Sequence, residues 1–280
     1  MKIAITGATG FIGKRLIELS TEQGHSFVAL SRDNYKASAM EGVDAIVHLA
    51  GEPVAQRWSP EVKDRILRSR VEGTGNLVDA IGKMERKPKV LVCASAIGFY
   101  GARGNEVMVE TSSPGSGYLP DVCVAWEGAA DRAALLGVRV VKLRIGMVLG
   151  RGGGALQTME TPFKLGVGGT LGSGKQWMSW VHLDDIVRLI QFAISTESMA
   201  GPVNATAPNP VMNADFTRLY AAALHRPAFF PVPEMALHLL YGEMSQVILS
   251  SQRILPAVAE RMGFQFRYPD LALALKEIYG

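Results

Sequence analysis

The first half of the chain alternates short apolar runs with stretches of helical periodicity. Runs at residues 2–5, 26–30, 45–49, 90–93 and 138–143 are aliphatic or β-branched and lack the polar alternation of a strand with one wet face. Such runs suit strands covered on both faces, as in a parallel sheet. Between them, Ile12, Leu16, Ile17 and Leu19 recur at helical spacing within residues 11–23, and Gly24 supplies a terminating residue. Ser59, Pro60 and Glu61 form a helix start, and the helix they open reaches about Ile81 despite Gly73 and Gly75. This rhythm predicts an α/β fold, a Rossmann doubly wound parallel sheet. Only 13 residues separate Leu30 from Asp44, so one crossover is shortened or missing.

Beyond Gly150 the pattern changes. Residues 151–174 are rich in glycine around an apolar stretch at 159–165, and residues 201–233 mix turns with a helix at 214–224. A further helix spans 185–194, with Asp184 placed to cap it. The apolar spacing at 215–224 and 235–241 fits core packing or a homodimer contact. The expected division is a Rossmann domain over 1–150, rejoined by part of 185–210. A smaller, irregular C-terminal lobe over 151–280 then covers the edge where open α/β sheets bind ligands.

Composition narrows the function. A chain of 280 residues that is 48% hydrophobic and 20% charged can bury a large core as one or two units. The start shows no basic head before an apolar leader, and no window of about 18 apolar residues suggests a span, so a soluble, cytoplasmic protein without membrane attachment is expected. Cys93 and Cys123 match no CxxC spacing and the five histidines form no HExxH pair, which predicts no metal site. A net charge of +3 without a basic run predicts no nucleic-acid partner.

One loop carries chemistry. Gly7, Gly10 and Gly13 stand in G-x-x-G-x-x-G after the first strand and open an amphipathic helix. Gly7 permits a tight turn, Gly10 lets backbone approach a diphosphate, and Gly13 lets helix and strand pack closely, so phosphate is expected against Thr9, Gly10, Phe11 and Ile12. An unliganded glycine-rich turn is the plainer alternative. At the end of the second strand an NAD site needs an acidic side chain for the ribose hydroxyls, whereas an NADP site needs a cation for the 2′-phosphate. Ser31 and Arg32 occupy that place and favour NADP(H). Asp33 argues the other way should the strand end one residue later. Leu49, Ala50 and Gly51 end another strand on the same edge, small enough for adenosine to lie against backbone.

The segments TGATGFIG, DAIVHLAG, VEGTGNLVDA and ASAIGFYG resemble the extended short-chain dehydrogenase/reductase superfamily, which includes nucleotide-sugar epimerases and dehydratases. HLAGEPVAQRW, LRIGMVLGRGGGAL, LGSGKQWMSWVHLDD and a tail ending LALALKEI are similar to its atypical epimerase-family, or cell-division-inhibitor-like, branch with a short C-terminal domain of unknown function. The resemblance covers nearly the whole chain and implies a Rossmann fold and NADP(H) binding, with a small substrate that is not established. It adds Glu52 and Arg70 to the expected cofactor contacts.

That superfamily uses a Ser or Thr, a Tyr, and a Lys four residues on, the lysine lowering the tyrosine pKa for proton exchange. Matching Tyr100-Gly101 to the superfamily's Y-G puts Ala96 at the hydroxyl position. Matching Glu127 to its helix glutamate puts Leu119 at the tyrosine and Cys123 at the lysine. All three places are vacant. Substitute donors are Tyr100, Tyr118, Ser95 and Cys123, each with an ordinary structural alternative. Gln176, Trp177 and His182 are the candidates for lining a substrate pocket, and Lys175 could meet an anionic substrate. An NADP(H)-dependent oxidoreductase or epimerase-like protein is expected; a non-catalytic NADP(H)-sensing or regulatory protein is the alternative.

Overall fold

The computed structural model describes residues 1–31 and 35–280. Strands β1 (Lys2–Thr6), β2 (Ser26–Leu30), β3 (Ala45–His48), β4 (Val90–Ala96), β5 (Val107–Met108), β6 (Arg139–Ile145), β7 (Met147–Leu149), β8 (Trp177–Met178), β9 (Trp180–His182), β10 (Gly201–Ala205), β11 (Val211–Met212) and β12 (Arg253–Ile254) follow in chain order. The helices are α1 (Phe11–Glu22), α2 (Ala37–Met40), α3 (Pro60–Gly82), α4 (Tyr118–Asp131), α5 (Gly154–Lys164), α6 (Leu183–Ser195), α7 (Asn213–Ala223), α8 (Glu234–Tyr241), α9 (Ser245–Ile248), α10 (Ala257–Arg261) and α11 (Leu271–Tyr279).

Six parallel strands form the central sheet in the order β10-β6-β4-β3-β1-β2. Side chains alternate across its two faces as strand geometry requires. Ile3, Ile5, Val47 and Val92 pack with Leu16 of α1 and Leu183–Ile194 residues of α6. Ala4, Ile46, Leu91 and Cys93 face the other way, onto Leu77 of α3 and Trp126 of α4. Burial of both faces explains why these strands read as unbroken apolar runs. The chain passes from β2 across β1 to β3, so the direction of sheet growth switches between β1 and β3.

Most predicted elements lie where the pattern placed them; β10, over Gly201–Ala205, is a sheet strand in a stretch whose pattern showed turns, and other differences are local. β4 and β6 run on to Ala96 and Ile145, because Ser95↔Arg144 and Ala96↔Ile145 remain paired. Among the described residues of the shortened crossover there is one helical turn, α2. His182, rather than Asp184, caps the helix after β9: its side chain accepts the Asp184 N–H, and Asp184 pairs instead with Arg15 at 2.7 Å.

Beyond residue 150 the chain contributes both to the sheet and to a separate core. α6 and β10 complete one covering layer and one sheet edge. Leu149, Leu156, Phe163, Trp180, Phe216, Tyr220, Leu271 and Leu275 form a second core built on α5, α7 and α11. The fully buried Asp185 carboxylate joins the parts: it accepts the backbone N–H of Arg267 and of Tyr268, each at 2.8 Å, and pairs with Arg188 at 2.9 Å. Three partners supply the hydrogen bonds that a buried carboxylate requires.

Candidate functional site

The first βα turn lies at the switch between β1 and β3. Gly7 has φ +73°, a conformation that side chains rarely adopt, and a Cβ there would come within 2.9 Å of the Leu49 carbonyl carbon. Gly13 lies in ordinary helical backbone but is packed closer still: a Cβ would sit 2.2 Å from the Gly7 oxygen. Gly10 caps α1 without any side-chain hydrogen bond, and no acidic residue occupies the first turn. The first-turn N–H groups of a helix have no intrahelical acceptors, so this end presents donors and partial positive charge to an anion. A cleft of about 360 Å³ opens in front of it, lined by Gly7 and Gly10–Gly13, by Leu49, Ala94, Ile145, Met147 and Val148, and by Gly154 and Ala155 at the start of α5.

A buried polar chain holds this turn against β3. Thr6 Oγ1 accepts from the N–H groups of Leu49 and Ala50, each at 3.1 Å, so its own proton is directed to His48 Nδ1 at 2.7 Å. His48 is thereby the tautomer protonated at Nε2, which donates to Thr74 Oγ1 of α3 at 3.1 Å. Complete burial holds the imidazole neutral, with its pKa lowered to about 4. No sequence motif marks this chain. Its only signal was a threonine and a histidine among apolar strand residues.

The other expected cofactor residues that the structure describes lie around the same edge. Thr9 is exposed on the loop, and Ser31 is exposed just past β2. Arg32 and Asp33 lie outside the described residues. Gly51 lies against the Arg70 guanidinium, whose Nη1 donates to the carbonyls of Glu52 (3.0 Å) and Ile66 (3.2 Å) while the group stacks 5.0 Å from the Trp126 ring.

All three hydroxyls expected as donors have partners within the chain. Ser95 is buried and donates to Glu127 at 2.8 Å. Tyr100 is fully buried, donates to Asn204 at 2.7 Å and accepts from Arg144 at 2.9 Å; burial pushes its hydroxyl pKa up. Arg144 and Glu127 form the centre of this network, bonded through Nε and Nη2 at 2.8 and 2.9 Å. The sequence reading passed over Arg144, although a lone arginine in an otherwise apolar strand end signals a buried partner. Tyr118, at the start of α4, is partly exposed. Its hydroxyl donates to the Lys63 carbonyl at 2.7 Å, its ring meets Trp58 edge-on, and burial raises its pKa. Leu119 and Cys123, which matching Glu127 sets against the superfamily's tyrosine and lysine, both lie beside Gly98. Burial pushes the Cys123 thiol up to about 12, so it is neutral.

The three residues expected to line a substrate pocket have separate structural partners. His182 is buried, capping α6 through Nδ1 and meeting Glu277 of α11 through Nε2 at 2.9 Å. Gln176 is buried and donates to the Leu171 carbonyl at 3.0 Å. Trp177 is partly exposed; its indole donates to Asn105 at 2.9 Å, and the Arg253 guanidinium lies 4.4 Å from its ring centre.

Among the described residues no group of three or more metal-ligating side chains occurs, and no helix is long and apolar enough to cross a membrane. A parallel sheet whose glycine turn and bare helix end open on the switch point defines a Rossmann-type nucleotide-binding fold. Residues 3–205 match the NAD dependent epimerase/dehydratase family, and residues 232–278 match a domain of unknown function, DUF1731. The chain belongs to the NAD dependent epimerase/dehydratase family. It is 41% identical to the chloroplastic epimerase family protein SDR39U1 homolog of Arabidopsis thaliana, an alignment covering 99% of this chain and 86% of that one. It is 38% identical to epimerase family protein YfhF of Bacillus subtilis, over 99% and 98% of the two chains. The crystal structure of human epimerase family protein SDR39U1 (isoform2) with NADPH superposes with a TM-score of 0.92 at 33% identity, over 100% and 99% of the two chains. MoeE5 in complex with UDP-glucose and NAD is 20% identical and shares the fold, with a TM-score of 0.78 over 100% and 97% of the chains.

Proposed function

We propose that this chain binds NADP(H) and acts as an oxidoreductase or epimerase-like enzyme on a small substrate without the superfamily's Tyr-x-x-x-Lys pair. The supporting observation is the fit of the turn. Gly7 and Gly13 leave no room for a Cβ, Gly10 leaves the helix end bare, and the cleft begins there. A diphosphate suits that end, with adenosine against Leu49 and Ala50. Ser31 and Arg32 would receive the 2′-phosphate, in keeping with the NADPH of the human relative. When bound, the nicotinamide would supply hydride chemistry, while the protein binds and orients.

Among the hydroxyl candidates we assign proton exchange to Tyr118. It is partly exposed, whereas Ser95 and Tyr100 are buried. One observation favours the regulatory alternative: no residue lining the cleft carries an ionisable or hydroxyl side chain.

Calorimetric titration with NADPH and NADH tests the cofactor assignment. NADPH is expected to bind at least about tenfold tighter, and Arg32→Ala to close the gap. Equal affinities in the unsubstituted protein would overturn the choice of NADP(H), and binding of neither would overturn the function. Catalysis is tested by incubating the NADPH-loaded protein with carbonyl, enone and nucleotide-sugar compounds and following the reduced-nicotinamide absorbance. Turnover that falls about a hundredfold in Tyr118→Phe supports the enzyme. Tight binding without turnover supports the regulatory reading.

A further inference from the structure

Among the described residues Arg253 is a cation without a counterion. Its guanidinium lies 4.4 Å from the Trp177 ring centre, and its Nε is buried with no hydrogen-bond partner. Among the described residues it makes no side-chain hydrogen bond and no ion pair. Glu106, the acidic residue beside the paired strand β5, is taken by Arg103 at 3.7 Å. A partly buried guanidinium has lost hydration that a ring face only partly replaces, and its planar fork is shaped for a carboxylate or phosphoryl group.

The surroundings hold that fork in place, with Arg253 half-buried. The Trp177 indole is fixed by Asn105, and the Trp177 carbonyl accepts the Gln252 N–H at 3.0 Å. Ile254, next in β12, faces inward to Phe99, Tyr100 and Cys123, so Arg253 projects from the opposite face. Its cross-strand partner Val107 is 43% exposed, which marks that face as open. The adjacent Gln252 amide donates to the carbonyls of Ile97 (2.9 Å) and Gly101 (3.1 Å), and so ties this strand to the turn that follows β4 at the sheet's C-terminal edge.

We infer that Arg253, laid on Trp177, is an anion-recognition site that anchors a carboxylate or phosphoryl group of the substrate. The substrate role rests on the function proposed above; the anion site itself rests on Arg253 and Trp177. The full-length protein is titrated calorimetrically with inorganic phosphate and with malonate at constant ionic strength, with and without NADPH. Binding of one of them is expected, the preferred probe separating phosphoryl from carboxylate recognition. Arg253→Met, which keeps the packing on Trp177, should weaken it at least about tenfold, and Arg253→Lys, which keeps charge but loses the fork, by less. NADPH affinity should stay within about twofold in both variants, since neither touches the glycine turn. If Arg253→Met fails to fold, Arg253→Lys and Trp177→Phe carry the test, each expected to weaken the anion. The inference is overturned if neither probe binds with a Kd below about 10 mM, or if the variants bind it as tightly as the unsubstituted protein. Failure of NADPH to bind would instead overturn the cofactor reading, and the titrations without it would still decide the anion site.

Discussion

Replacing Gly13 by alanine isolates the close approach on which the turn depends. Gly13 does not need a left-handed backbone, so the substitution acts through the added methyl alone. That methyl would lie 2.2 Å from the Gly7 oxygen, 3.0 Å from its carbonyl carbon and 3.1 Å from Ala8 Cα, all backbone atoms with no rotamer to change. Real Cβ contacts essentially never fall below 3.0 Å, so helix and turn must separate by roughly 1 Å. Overpacking of this kind costs about 1–3 kcal/mol, and it displaces the N–H groups of α1 from the position that receives phosphate. A loss of about 2 kcal/mol in binding corresponds to a roughly thirtyfold rise in the Kd for NADPH. Calorimetric titration measures that change, and thermal unfolding measures the accompanying destabilisation. Gly73→Ala in the middle of α3 is the control. A Cβ there meets nothing within 4 Å, so it should stabilise by about 0.5–1 kcal/mol and leave NADPH binding unchanged. Gly13→Ala with unaltered Tm and NADPH affinity would refute the reasoning.

Glu127→Gln should destabilise the fold by about 3–5 kcal/mol in urea denaturation, because the Arg144 charge stays buried without its carboxylate; adding Arg144→Met should recover much of the loss. Stability should also depend on pH through His48. The unfolded chain takes up this proton near pH 6.5 and the native state only near 4, so the contribution is full above about pH 7 and is lost as pH falls from 6.5 to 4, by up to about 3 kcal/mol. Urea midpoints across that range check the slope, which should flatten in His48→Gln. Unchanged stability between pH 7 and pH 4.5 would rule out a neutral buried imidazole.

The fold was legible because its signals are local. A doubly covered parallel strand must be apolar at every position, and β2 ran over the residues its pattern marked. The Ser59-Pro60 start of α3 and the glycine spacing of the first turn are likewise written in neighbouring residues. Irregular pieces were less visible: β5, β7, β8, β11 and β12 are two or three residues long, too short for a period.

What the sequence by itself determined was the sheet apart from its edge strand β10, the glycine turn, and the absence of the superfamily's lysine, each a matter of residue type at fixed spacing. What only the tertiary structure decided was how each polar side chain is engaged. Ser95 and Tyr100 could have been donors to a ligand until Glu127, Arg144 and Asn204 were brought against them. His182 read as a pocket residue until Glu277, 95 positions later, met its ring, whereas Arg253 gained an aromatic face and, among the described residues, no anion. Burial and hydrogen-bond partners arise from contacts between distant segments, and they set whether a hydroxyl, imidazole or guanidinium remains available; no local pattern encodes them.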